Sequence, residues 1–262
     1  MDNQPLMVVA AKAQNILRGL GVESVIVGAL VPFLLATEIS ELSTAFGELT
    51  TRDVDTLLAI DSWPAYDKLL GELLQNGFTR LPGDPEHRLR FEDIEIDLLP
   101  VGKILKRGKL KWPQSKSSMN MLGTEEALAK GQPISVEDNQ SVRVAPLWSF
   151  VILKLFAYDD RGAKKDADAV ISTLSSYGDL DNRRFSVPDG FTYETSGAFV
   201  CGQDVRDNAF PETLVSLKKV LAKLMTEQEY SRMINDIVGP LADDSQRKFT
   251  LDIFRAFKQG LD

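Results

Sequence analysis

Apolar residues recur at helical spacing from Leu6 to Leu20 (Val9, Ala13, Ile16, Leu17, Leu20), with Gly21 where a C-terminal cap belongs, and this predicts an opening helix. Val22 to Val27 is short, β-branched and closed by Gly28-Ala29, which predicts a buried strand turning into a second helix that runs to about Phe46. Asp53 to Ile60 starts with polar/apolar alternation and becomes continuously apolar, as a strand with an exposed start and a buried end does. Asp61-Ser62-Trp63-Pro64 then reads as the cap and first turn of a helix whose buried face is Tyr66, Leu69, Leu70, Leu73 and Leu74, stopping at Asn76-Gly77. Phe78 to Leu81, Arg88 to Phe91 and Ile94 to Leu99 read as strands joined by turns at Gly83-Asp84-Pro85 and Glu92-Asp93.

Ser141 to Ala145 predicts one more strand, and Pro146 then opens a largely buried helix from Leu147 to Tyr158. Beyond it, helical periodicity covers Ala163 to Tyr177, Glu212 to Met225, Glu227 to Val238 and Ser245 to Leu261, with an irregular or β stretch between Phe185 and Cys201. The expected architecture is therefore α/β: a core of residues 1–145 with a mixed sheet flanked by helices, followed by a mainly helical domain over 146–262 that completes an active-site cleft.

Composition adds exclusions. The 262 residues are 44% hydrophobic and 26% charged, a folded globular composition rather than a disordered one. The single cysteine, Cys201, rules out a disulfide framework and a cysteine-rich zinc cluster, and reads as a small buried hydrophobe in a reducing compartment. The longest apolar run, Val25 to Ala36, is interrupted by Gly28 and Pro32 and falls short of the roughly 18 residues of a membrane helix. The first residues, Met-Asp-Asn-Gln-Pro, carry no signal-peptide pattern, so a cytoplasmic location is expected. Net charge is −8, which argues against non-specific coating of nucleic acid. One segment departs from that balance: Lys103, Lys106, Arg107, Lys109, Lys111 and Lys116 follow one another without an acid between them.

Candidate chemistry sits in the acids of two strands. Residues i and i+2 of a strand point to the same side about 6.5–7 Å apart, so Asp53 and Asp55 project from one face. In Asp93-Ile94-Glu95-Ile96-Asp97 the acids share one face and the isoleucines the other, supplying a third carboxylate, Asp97, from a second strand. A bare Asp-x-Asp is most often a solvated strand edge. Here both acid sets sit on apolar strands, and the glycine turn before the first lets backbone N–H groups approach a phosphate. Three such carboxylates with no histidine suit Mg²⁺, or Mn²⁺, completed by substrate phosphates.

Ile26-Val27-Gly28-Ala29, Thr51-Arg52-Asp53-Val54-Asp55 and Ile94-Glu95-Ile96-Asp97 together resemble the DNA polymerase β-type nucleotidyltransferase superfamily, although Ala29 stands where that family has a second glycine or small polar residue. The stretch from Lys154 through Ala157 to Arg161, followed by Lys165-Asp166-Ala167-Asp168, is similar to the Lys-x-x-Ala-x-x-x-Arg and Lys-Asp-x-x-Asp motifs of the abortive-infection (AbiEii-type) nucleotidyltransferase toxins. The resemblance spans about Val22 to Val170. It implies an Mg²⁺-dependent enzyme that moves a nucleoside monophosphate from an NTP to an acceptor hydroxyl or amine on an RNA end, a protein or a small molecule, within a toxin-antitoxin or abortive-infection system with a cognate antitoxin. It further implies Asp53, Asp55 and Asp97 as metal ligands, Gly28, Ala29, Thr51 and Arg52 beside the substrate, and Lys154 with Asp166 or Asp168, Arg161 and Lys165 as further site residues.

Other polar features have plainer readings beside the functional ones. His87, the only histidine, lies in a turn and reads as a surface residue; its solitude rules out a multi-histidine metal site. Lys154 and Arg161 lie almost two helical turns apart, so they can share a face, and Lys154 interrupts an apolar run where a charge is costly without a partner. An active-site role would bring its amine within about 6 Å of Asp53 or Asp55. The basic run from Lys103 to Lys116 is either a solvated loop or a contact for a polyanionic acceptor, with Trp112 available to stack on a base. Trp148, Phe150, Phe156, Phe249, Phe254 and Phe257 read as core. Two rivals remain: a non-catalytic module of the same fold, and an Asp-x-Asp glycosyltransferase. The second is disfavoured because its nucleotide-binding half of roughly 100 residues has only 52 residues of room before Asp53.

Overall fold

The computed structural model describes residues 4–37, 53–136, 140–178, 182–225 and 231–262. Two compact units divide the chain, Met1–Pro146 and Leu147–Asp262. The expected α/β sheet-and-helix core followed by a helical region is what the chain adopts.

In the first unit α1 (Gln4–Gly19) is followed by β1 (Ser24–Val27), α2 (Leu30–Thr37), β2 (Asp53–Ala59), α3 (Trp63–Gln75), β3 (Arg88–Phe91) and β4 (Ile94–Val101). A ribbon of β5 (Lys109–Lys111) and β6 (Ser118–Asn120), a short α4 (Thr124–Ala129), β7 (Gln132–Val136) and β8 (Gln140–Val144) complete it. Six strands form one mixed sheet in the order β3-β4-β2-β1-β8-β7. β2 lies antiparallel to β1 and parallel to β4, so the acid-bearing strands are central neighbours. Their apolar positions (Val54, Leu57, Leu58, Ile96, Leu98) are buried with Val25 and Ile26 of β1 and with Val9, Ala13 and Leu17 of α1.

The Ser62 hydroxyl accepts from the Ala65 N–H at the start of α3, and Pro64 occupies its first turn, as the sequence predicts. Tyr66, Leu69, Leu70 and Leu73 are buried, but Leu74 is exposed, because the stripe is narrower than five residues. Residues 78–81 form no strand: Thr79 alone bridges Arg90. Prediction missed the β5–β6 ribbon, α4 and β7, and the second helix beyond residue 37 falls outside the described residues.

The second unit contains α5 (Leu147–Arg161), α6 (Lys164–Ser176), a 3-10 turn (Arg183–Ser186), α7 (Tyr193–Asn208), α8 (Pro211–Leu224), α9 (Arg232–Val238) and α10 (Asp244–Leu261). The expected irregular or β stretch from Phe185 to Cys201 is thus corrected to a turn and most of a helix. Gly202 and Gly260 let α7 and α10 close on each other: a Cβ on Gly202 would lie 2.2 Å from the Phe257 carbonyl oxygen, and one on Gly260 2.0 Å from that of Phe199. Trp148, Phe150, Phe156, Phe254 and Phe257 are core, whereas Phe249 is half exposed. Cys201 is buried as expected, and that burial pushes its thiol pKa up. Among the described residues no helix is long and apolar enough to cross a membrane.

Candidate active site

The parallel register of β2 and β4 pairs Asp53 with Glu95 and Asp55 with Asp97, which sets four acids in a two-by-two array on one face. Three of them converge. Asp53, Asp55 and Asp97 each offer a carboxylate oxygen, and these oxygens lie within 4.8 Å of one another. Asp53 and Asp55 are partly exposed, whereas Asp97 is buried.

The glycine turn abuts this array. Val27, the last residue of β1, pairs with Asp55, so Gly28 begins its turn directly beside that carboxylate. Gly28 has φ +77°, and a Cβ there would lie 2.0 Å from Asp55 Oδ2 and 2.9 Å from Cγ. Both the backbone conformation and the space therefore demand glycine. Ala29 completes the turn and α2 starts at Leu30, placing a helix N-terminus next to the acids. Thr51 and Arg52 lie outside the described residues.

The edge strand β3 supplies what sequence reading missed. Arg88 faces Asp97 and Arg90 faces Glu95 across an antiparallel register. Arg88 donates from Nε to Asp97 Oδ1 and from Nη2 to Oδ2, each at 2.8 Å, a two-pronged clamp. Its Nη1 reaches Glu95 Oε2 at 2.5 Å, while Arg90 pairs with Glu95 at 2.6 Å and with Asp84 at 3.1 Å. Glu95 is thereby engaged by two guanidiniums. The hydrogen bonds to Asp97 push the Arg88 pKa further up, against a smaller opposing effect of burial. The Arg-Leu-Arg alternation opposite Glu-Ile-Asp was the signal that marks this ladder.

His87 is not a surface residue. Its ring lies 4.9 Å from that of Trp112, and Nε2 is 3.7 Å from Asp97 Oδ2. Burial pushes the imidazole pKa below its usual value, outweighing the upward pull of Asp97. Trp112, unlike the partly exposed His87, is buried, packed on Trp63 and Tyr66, so it is not available to stack on a base. Burial of this apolar indole in a clustered aromatic site overrides the polar sequence around it. The basic side chains of the run are exposed on the loop and the β5–β6 ribbon, with Lys103 paired to Asp61 at 3.1 Å. The Glu86 carboxylate accepts from the backbone N–H groups of Gln114 and Ser115, tying this loop to the turn before β3.

A cluster of charged side chains forms within the second unit. Asp166, whose side chain is fully buried, accepts from Lys154 at 3.2 Å and from Arg161 at 2.7 and 2.8 Å. Burial would raise the Asp166 pKa, but the Arg161 hydrogen bonds and the Lys154 charge together hold it below the usual carboxylate value. Asp168 is half exposed and pairs with Lys164, and Lys165 is exposed. Of the two acids left open by the sequence, Asp166 is the one that meets Lys154 and Arg161.

A divalent ion fits the first cluster by the chemistry of its donors. Three carboxylates on neighbouring strands offer the hard oxygen set that Mg²⁺ and Mn²⁺ take.

No family model and no curated protein matches the chain. Among solved structures it is similar to a solution structure of the antibiotic-resistance factor ANT(2'')-Ia, with 12% identity over 67% of this chain and 85% of that one at a TM-score of 0.40. It is also similar to a crystal structure of an antigenic nucleotidyltransferase-like protein from Paracoccidioides brasiliensis, with 17% identity over 85% of this chain and 89% of that one at a TM-score of 0.45.

Proposed function

We propose that the protein is a divalent-metal-dependent nucleotidyltransferase that transfers a nucleoside monophosphate from an NTP to an acceptor hydroxyl or amine, releasing pyrophosphate. The observation that carries this reading is the convergence of Asp53, Asp55 and Asp97 beside a glycine whose missing side chain leaves room for the Asp55 carboxylate. A metal ion bound there would neutralise charge on the phosphates during in-line displacement.

The protein's own groups then have distinct tasks. Asp53 and Asp55 would hold the ion against the triphosphate, and Asp97 would orient the attacking group. The Gly28-Ala29 turn and the start of α2 would receive phosphate oxygens through backbone N–H groups. Lys154, Arg161 and Asp166 are proposed as further site residues, in keeping with the toxin-like motifs they form. Lys103 to Lys116 would contact a polyanionic acceptor, RNA or protein, and an antitoxin partner and a cytoplasmic location belong to the same reading. Each labelled NTP, incubated with Mg²⁺ and total cellular RNA or protein, tests it: a labelled product and released pyrophosphate, both lost in Asp53→Asn, are expected. No incorporation and no pyrophosphate with any NTP would reject it.

A further inference from the structure

The three converging carboxylates face a problem that the resting protein has to solve. Like charges within 4.8 Å repel, and Glu95 adds a fourth acid alongside. Opposite charge is supplied at Asp97: the Arg88 guanidinium spans both Asp97 oxygens at 2.8 Å and touches Glu95. A divalent ion approaching Asp97 from the Asp53 and Asp55 side would meet that fixed positive charge.

We infer that Arg88 is a resident counter-cation of the metal site: it neutralises Asp97 when no ion is bound and lowers the affinity of the site for a divalent ion below what it would be without that charge. This rests on the metal-site reading above and deepens it.

Two opposing effects decide the sign. Arg88 repels a dication, and one unit charge about 6 Å from it through a water-like dielectric changes its affinity by roughly tenfold. The same clamp also orders the Asp97 side chain, which would help an ion bind. That benefit is bounded: Asp97 is buried on a central strand, so its surroundings already restrict both side-chain torsions, and the further choice among three staggered χ1 wells is worth about threefold. Repulsion therefore outweighs ordering, and removing the charge should tighten binding by at least about threefold.

The test is a titration of bare Mn²⁺, followed by electron paramagnetic resonance of the free ion, on the full chain without nucleotide. Arg88→Gln should bind Mn²⁺ at least about threefold more tightly than the wild type, and Arg88→Lys, which keeps the charge and loses the two-pronged geometry, should stay within threefold of it. Unchanged or weaker binding in Arg88→Gln overturns the inference. So does a loss of more than threefold in Arg88→Lys, which would make clamp geometry rather than charge decisive and remains measurable if Arg88→Gln does not fold. These failures differ from failure of the site itself: a wild type that binds no Mn²⁺, or binds it equally well as Asp53→Asn, removes the metal reading and the inference with it.

Discussion

Gly28→Ala perturbs the site through a contact that can be measured on the structure. The added methyl would fall 2.0 Å from Asp55 Oδ2, and since real Cβ atoms essentially never approach a neighbour within 3.0 Å, the carboxylate must retreat by at least about 1 Å. Displacements of that size in a catalytic constellation cost on the order of 100-fold in rate. Holding alanine at φ +77° adds about 1–2 kcal/mol of backbone strain. Gly21→Ala separates the two effects, because Gly21 has φ +71° but an added Cβ meets nothing within 4 Å. Both variants should therefore lose roughly 2–8 °C in melting temperature. Only Gly28→Ala should also lose about two orders of magnitude in nucleotidyl transfer and bind Mn²⁺–ATP more weakly by calorimetry. Equal transfer rates and equal Mn²⁺–ATP affinities in the two variants would refute the argument that Gly28 is required by Asp55.

Neutralising Asp53 or Asp55 to asparagine should leave the fold intact by circular dichroism, while Mn²⁺ binding disappears; a variant that still binds Mn²⁺ with wild-type affinity contradicts this. Asp166→Asn should cost about 2–3 kcal/mol in chemical denaturation at pH 7, less than a wholly buried network would because Arg161 is half in water. The Asp166 carboxyl has its pKa lowered by folding, so its contribution is present above the unfolded value of about 3.9 and is lost as pH falls through the folded value. Wild-type stability should consequently drop more steeply than that of Asp166→Asn as pH falls below about 4, and parallel curves would show that the network does not stabilise the fold. Replacing the charges of Lys103 to Lys116 by glutamine should weaken binding of a polyanionic acceptor and flatten its salt dependence while sparing ATP affinity; identical salt slopes return the run to a solvated loop.

The acid array was legible because strand alternation is a strict period of two. Once Asp53-Val-Asp and Glu95-Ile-Asp lie on strands, which acids share a face follows, and only the parallel pairing of β2 with β4 had to come from the structure. Arg88 was passed over since its partner lies nine residues away on the next strand, a contact set by register rather than by spacing. His87 and Trp112 failed for a related reason: each sits in a polar stretch, and tertiary packing of Trp63, Tyr66 and Trp112 draws them inward. α7 was misread because residues on several of its sides are buried, among them Ser196, Val200 and Val205, leaving no clean apolar stripe. β7 hides behind Pro133, which an edge strand tolerates.

The most direct test of the central claim is a crystal structure of the protein with Mn²⁺ and a non-hydrolysable NTP, read by anomalous scattering. An Mn²⁺ peak is expected about 2.0–2.2 Å from carboxylate oxygens of Asp53 and Asp55, on the side facing Asp97, with the triphosphate against the Gly28-Ala29 turn. A metal and nucleotide bound elsewhere, with the three aspartates left uncoordinated, would contradict it.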